Sequence, residues 1–132
     1  MEKITVATSA QVELIDITGD IQKAVSKTKV EKGVCMVFVP HTTAGITINE
    51  NADPSVKADI IKELNKIIPF SDNYAHNEGN SAAHIKASLL GFSLSVIVEN
   101  GSLQLGTWQG ICFAEFDGPR TRQVWIDIRN ES

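Results

Sequence analysis

The sequence predicts an α+β domain whose sheets are mainly antiparallel, built from about seven strands and three helices. Three observations carry this. Short runs such as "KITVAT" and "RQVWIDI" alternate apolar and polar residues with period two, the signature of half-buried strands. Tight-turn signals, "NG" at 100–101 and "DGP" at 117–119, separate strand-like runs in the last third of the chain. One long segment, residues 53–69, instead keeps an apolar face at helical spacing and is bounded by Asp-Pro and Pro. The chain has 132 residues, a length that suits a single domain spanning 1–132.

The elements follow in order. "KITVAT" is a strand, and "QVELIDIT" is a second strand that could pair with it as a hairpin across Ser9-Ala10. Thr18-Gly19-Asp20 opens a helix in which Ile21, Ala24, Val25 and Thr28 share a face, and Gly33 ends that segment. "VCMVFV" is a continuous apolar run, expected for a central strand. "GITI" is a further strand, interrupted before by His41 and after by Asn49-Glu50-Asn51. Asp53 then suits an N-cap and Pro54 the first helical position. Val56, Ile60, Leu64 and Ile67 form the apolar face of this second helix, with Ile61 and Ile68 flanking it and Pro69 stopping it. "FSDNYAHNEGN" is a polar loop. A third helix runs from about Ser81 to Leu90 and closes at Gly91. "FSLSVIV" is a strand, "SLQLGTWQGICFAEF" continues as strand beyond the Asn100-Gly101 turn, and "RQVWIDI" is the last.

Composition narrows the function classes. Apolar residues make up 42% and charged residues 21%, as in a soluble globular chain. A net charge of −4 argues against a protein that coats nucleic acid. No apolar run approaches membrane-spanning length and "MEKITVATSAQ" lacks the features of a signal peptide, so a cytoplasmic protein without a membrane partner is expected. Cys35 and Cys112 lie in apolar strand-like runs without CxxC spacing. Two reduced, buried thiols are the leading reading, and a buried disulfide is the lesser alternative.

The chemistry-bearing residues cluster around breaks in the strands. His41 precedes "GITI", His76 lies in the polar loop and His84 in the third helix. Three neutral imidazoles leaving an open position make a familiar catalytic metal site, although the H-x7-H spacing is not itself a known ligand pair. The bland alternative is three histidines each satisfied by its own hydrogen bonds. Glu50 and Asp53 are three apart at a strand-to-helix junction. Capping accounts for Asp53, whereas Asn49 and Glu50 remain as possible ligands or acid–base groups. Gly79, Asn80 and Ser81 precede a helix, where free amides and the positive end of the dipole suit a phosphate, though an ordinary cap would satisfy the same amides. Glu115 and Asp117 recur at the last turn, followed by Arg120 and Arg122. A charged hairpin is usually just solvated, yet arginine is also well matched to a phosphate.

Four stretches, "HTTAGITINENADPSVKADI", "HNEGNSAAHIKASLLG", "NGSLQLGTWQGI" and "EFDGPRTRQVWI", fall in order over residues 41–126, and in them the chain resembles the YjbQ-like family, described as having a secondary thiamine-phosphate synthase activity. The resemblance implies a β-sandwich-like core with helices against it, assembled as a homotrimer. It implies that His41, Asn49, Glu50, Asp53, His76, Asn80, His84, Trp108, Gln109, Glu115, Asp117 and Arg120 occupy the family's motif positions. It also implies a divalent metal held by His41, His76 and His84, with zinc expected and magnesium the alternative.

Three readings follow. In the first, the protein is a metal-dependent enzyme acting on phosphorylated small molecules, with thiamine-phosphate synthesis as a side reaction. Glu50, Asp53 and Asn49 would be catalytic. Asn80, Ser81, Trp108, Gln109, Glu115, Asp117 and Arg120 would contact substrate. The second is a metal-dependent hydrolase built from the same residues. The third is a non-catalytic trimeric module that binds a small ligand.

Overall fold

The computed structural model describes residues 1–131. The chain runs β1 (Glu2–Ala7), β2 (Glu13–Asp16), α1 (Thr18–Thr28), β3 (Lys32–Phe38), β4 (Ala44–Glu50), α2 (Pro54–Ile67), α3 (Ser81–Leu90), β5 (Ser93–Glu99), β6 (Ser102–Leu103), β7 (Gln109–Glu115) and β8 (Thr121–Asn130). This is the expected α+β class. Two antiparallel sheets form, one of five strands in the order β1-β8-β3-β5-β6 and one of three in the order β2-β7-β4. Among the described residues, no helix is long and apolar enough to cross a membrane.

The two sheets face one another across the main core. The larger sheet contributes Val6, Cys35, Val37, Val96, Val98, Val124 and Ile126, the smaller Ile46, Ile111 and Phe113, and α1 inserts Ile21, Ala24 and Val25. A second core lies on the other face of the small sheet, where Leu14, Ala114 and Phe116 meet Leu64 of α2 and Ala83 and Ala87 of α3. β7 is therefore covered on both faces, which is why "GICFAE" is an unbroken buried run rather than an alternating one. α3 sits close on β4 because both surfaces are small. A Cβ on Gly45 would lie 2.7 Å from the carbonyl oxygen of Gly91.

Several expectations change. β1 and β2 do not form a hairpin: β1 pairs with β8 and β2 with β7, in different sheets. The run from Ser102 to Phe116 is likewise not one strand. It leaves the large sheet after Leu103, turns at 106–109, where the Gln109 amide donates to Gly106 O, and enters the small sheet as β7, giving eight strands. Lys29, in the left-handed conformation at φ 60°, closes α1. Gly33 belongs to β3 instead, where a Cβ would lie 1.9 Å from the Arg129 carbonyl oxygen of the neighbouring strand. On α2 the expected apolar face buries only Leu64 fully, and Ile67 is 60% exposed. Its start is as expected, with Pro54 at the first turn and Asp53 accepting from the Ser55 amide at 2.9 Å. Cys35 and Cys112 are free and buried, and burial pushes the Cys35 thiol up to about 11.

Candidate functional site

The chain crosses from the large sheet to the small one through Val39-Pro40-His41-Thr42-Thr43. The β7–β8 turn and the N-terminus of α3 arrive beside this crossing. The Phe116 amide donates to Thr43 O, and the Asn80 side-chain amide donates to Asp117 Oδ2 at 2.9 Å. Between these segments lies a cleft with two lobes that share Thr42, Thr43 and Arg120. The larger, about 580 Å³, is walled by Phe38, Val39, Pro40 and Phe92, with His41 and Arg122. The smaller, about 290 Å³, is polar and adds His76, Glu78, Asn80, His84 and Asp117.

Beneath the cleft lies a buried ion pair. Glu115 is fully buried and Arg122 is 3% exposed. Arg122 Nε donates to Glu115 Oε1 at 2.9 Å, and Nη2 makes a short contact with Oε2 and donates to Thr43 Oγ1 at 2.8 Å. The same carboxylate accepts from Thr8 Oγ1 at 2.8 Å and from the Asp117 amide at 3.1 Å. Burial alone would raise the Glu115 pKa. Arg122, the Asp117 amide and the Thr8 hydroxyl outweigh it and hold the carboxyl below its ordinary value. Glu115 therefore has no surface to offer a substrate; it ties Thr8, the last turn and Arg122 together.

The polar lobe brings three further sequence-selected residues, Asn80, Asp117 and Arg120, together around His76 and His84. Those two rings stand edge to face with centroids 5.5 Å apart. The α3 N-terminus beside them has no side-chain cap. Asn80 Oδ1 is buried without a hydrogen-bond partner among the described residues. Asp117 accepts from both Asn80 and Arg120, the latter through Nη2 at 3.2 Å, so it holds the arginine at the rim. Ser81 lines an adjoining recess with Tyr74, His76, His84 and Ile85.

His41 stands apart, on the wall of the larger lobe. Its Nε2 accepts from the Gln123 amide at 2.9 Å. An accepting nitrogen is unprotonated, so the neutral ring carries its proton on Nδ1. Burial, then the neighbouring Arg122, lowers its pKa. Among the described residues, no group of three His, Cys, Asp or Glu side chains is placed to hold a metal.

The remaining sequence-selected residues lie at the other end of β4. Seven strand residues separate Thr43 from the loop after Glu50, roughly 20 Å of chain. There Glu50 pairs with Gln109, and the Asn51 amide donates to Trp108 O. Asn49 Oδ1 accepts from the Glu50 amide and Glu50 Oε2 from the Ala52 amide, so both side chains brace their own loop. Asp53 caps α2, and its bonds from the Ser55 amide and hydroxyl lower its pKa. Trp108 is 63% exposed. Within one chain, Asn49, Glu50, Asp53, Trp108 and Gln109 do not share the histidine cleft. Sequence reasoning singled out Arg120 and passed over Arg122 as a site residue. The signal was present in the apolar-polar alternation of "TRQVWI", which places Arg122 in line with Val124 and Ile126 on the buried face of β8.

The model of the UPF0047, YjbQ-like family matches residues 2–131. The chain belongs to the YjbQ-like UPF0047 family. It is 56% identical over 126 residues to the UPF0047 protein MJ1081 of Methanocaldococcus jannaschii, covering 96% of this chain and 91% of that one. It is 49% identical to the UPF0047 protein YugU of Bacillus subtilis, covering 97% and 98%. A crystal structure of an uncharacterized conserved YjbQ/UPF0047 protein from Clostridium acetobutylicum superposes with a TM-score of 0.96 at 55% identity, covering 98% of this chain and 100% of that one. A YbjQ-like protein of unknown function from Sulfolobus solfataricus gives a TM-score of 0.94 at 36% identity, covering 98% and 96%. The sheet order, the cleft and the buried Glu115–Arg122 pair described above are thus features of a UPF0047 chain.

Proposed function

We propose that the cleft is the active site of a metal-dependent enzyme acting on phosphorylated small molecules. The observation that carries this reading is the pairing of His76 with His84 beside an uncapped helix N-terminus and an arginine. Two imidazoles bound to one tetrahedral zinc place their centroids about 5 Å apart, so the 5.5 Å pair fits two corners of such a site. Asn80 lines the same lobe, and its buried Oδ1, without a hydrogen-bond partner among the described residues, would supply a third donor. His41 fits less well as a ligand, because the Gln123 amide already occupies its Nε2. A divalent ion held there, zinc first and magnesium second, would act as a Lewis acid on a phosphate oxygen.

The chain's own groups complete the reading. Arg120 presents a guanidinium suited to two phosphate oxygens. The first-turn amides of α3 and the Ser81 hydroxyl suit a third. His41, kept neutral, holds a proton on Nδ1 beside the larger lobe. A homotrimer is the proposed assembly. Val34, Met36, Phe38 and Ile97, all exposed on the outer face of β3 and β5, form an apolar patch suited to packing copies together.

Metal analysis of purified protein tests the reading, together with assays of phosphate esters and of a pyrimidine diphosphate plus thiazole phosphate pair, each with and without chelator. Stoichiometric zinc is expected in the wild type and its loss in His76→Ala and His84→Ala. Metal content unchanged in both variants overturns the assignment. Turnover of the pyrimidine and thiazole pair alone would favour synthase chemistry, and turnover of simple esters alone a hydrolase.

A further inference from the structure

We propose that the larger lobe is a second anion-binding pocket, in which Arg122 recognises the phosphate or carboxylate group of a ligand that also carries an apolar ring. It adjoins the polar lobe, sharing Thr42, Thr43 and Arg120 with it, but its recognising group is Arg122, so it stands whether or not the polar lobe takes a metal.

Arg122 is a buried cation with one nitrogen uncommitted. Nε and Nη2 are held by Glu115 and Thr43. Nη1 makes no hydrogen bond to the described residues, yet it is not among the enclosed atoms left without a partner. The 3% of Arg122 that remains exposed lines the larger lobe. A guanidinium clamped on two nitrogens cannot swing away, so its free N–H groups are offered in a fixed direction with little ordering entropy left to lose.

The lining makes that offer selective. Two arginines, Arg120 and Arg122, line the lobe and no carboxylate does. Glu115 compensates Arg122 from beneath, fully buried, and Asp117 lines the polar lobe instead. An anion entering the lobe thus meets positive charge and hydroxyls first. Phe38, Val39, Pro40 and Phe92 form the rest of the wall, an apolar surface for a ring attached to the acidic group. The pocket volume of about 580 Å³ accommodates a single-ring molecule.

The test is a titration of ¹⁵N-labelled protein with benzoate, phenyl phosphate, inorganic phosphate and, as a neutral control, benzyl alcohol. Benzoate or phenyl phosphate is expected to bind saturably and to shift the amides of Val39, Thr42 and Thr43. Inorganic phosphate and benzyl alcohol should each bind at least tenfold more weakly, one lacking the ring and the other the charge. Two variants remove the recognition by different routes. Arg122→Lys keeps a cation for Glu115 but loses the fork, and the double variant Arg122→Met, Glu115→Gln removes both charges together. Melting curves identify which variant is folded, and the affinity comparison is made on that one. Affinity at least tenfold weaker in the folded variant supports the proposal. Unchanged affinity there overturns it, as do the absence of saturable binding, benzyl alcohol binding as tightly as benzoate, or shifts confined to His76, Ser81 and His84. Chelator leaves this titration untouched, so its outcome is independent of the metal analysis above.

Discussion

Lys86 offers a sharp test of how burial sets energetics in this fold. It lies on α3, fully buried, with Nζ 2.6 Å from Asn65 Oδ1 on α2 and 3.6 Å from the centre of the Phe70 ring. Burial pushes its pKa down from 10.5 to about 8. Between those two values the unfolded chain binds the proton more tightly than the folded one. Stability contributed by this group is therefore fully present above pH 10.5 and lost as pH falls through 8. The interval sets a ceiling of about 3 kcal/mol, and the Asn65 oxygen and the Phe70 face, which both favour the ammonium, reduce the expected gain to about 1–2 kcal/mol. The buried thiols oppose it. Cys35, with a folded value of about 11 against 9.0, contributes stability that is lost as pH rises above 9. Comparison with Lys86→Met cancels the thiols. Urea unfolding at steps from pH 7 to 10.5 should show the difference, wild type minus Lys86→Met, moving in favour of the wild type by about 1–2 kcal/mol. A difference constant across that window would refute the reasoning and mean that Lys86 keeps an ordinary pKa despite its burial.

Other expectations follow from the same contacts. Arg122→Ala strands a fully buried carboxylate and should cost about 3–5 kcal/mol in denaturant unfolding, most of it recovered when Glu115→Gln is added. Because Glu115 titrates below its ordinary 4.5 in the folded state, its contribution is complete above that value and lost as pH falls through the lower one. An acid-unfolding curve of the Glu115→Gln, Arg122→Met protein should accordingly be flatter below pH 4.5 than that of the wild type. Gly33→Ala places a Cβ 1.9 Å from a backbone oxygen of β8 and should cost about 2–3 kcal/mol by parting the two strands, read as a lower melting temperature. Light scattering of the wild type should give about three times the 14.4 kDa chain mass, and charges placed at Met36 and Ile97 should reduce it to that of one chain.

Legibility in the sequence tracked the range of the interaction. α2 begins where it was expected because Asp53 and Pro54 act on their own first turn, and α3 begins at Ser81 and ends before Gly91 for similarly local reasons. The Asn100-Gly101 turn, with both residues at positive φ, is equally local. The hairpin expected between β1 and β2 failed because strand pairing is chosen by distant partners. Residues 8–12 carry the chain from one sheet to the other, and β1 pairs with the last strand of the chain. The chain also leaves the large sheet after Leu103, inside a run that reads as one strand, because the choice of sheet is set by distant partners.

The site divides in the same way. Sequence alone determined that the domain is α+β, where its helices start, where α2 and α3 stop, and which residues carry unusual chemistry, because period, capping and residue type are properties of short segments. Only the tertiary structure decided which of those residues meet. It brought His76, Asn80, His84, Asp117 and Arg120 to one cleft and left Asn49, Glu50, Asp53, Trp108 and Gln109 at the far end of β4. It also turned Glu115 from a candidate contact into the buried anchor of Arg122. The reason is physical: a strand points its two ends in opposite directions, and a buried charge is set by its partner across the core, 7 residues away for Arg122 and 107 for Thr8.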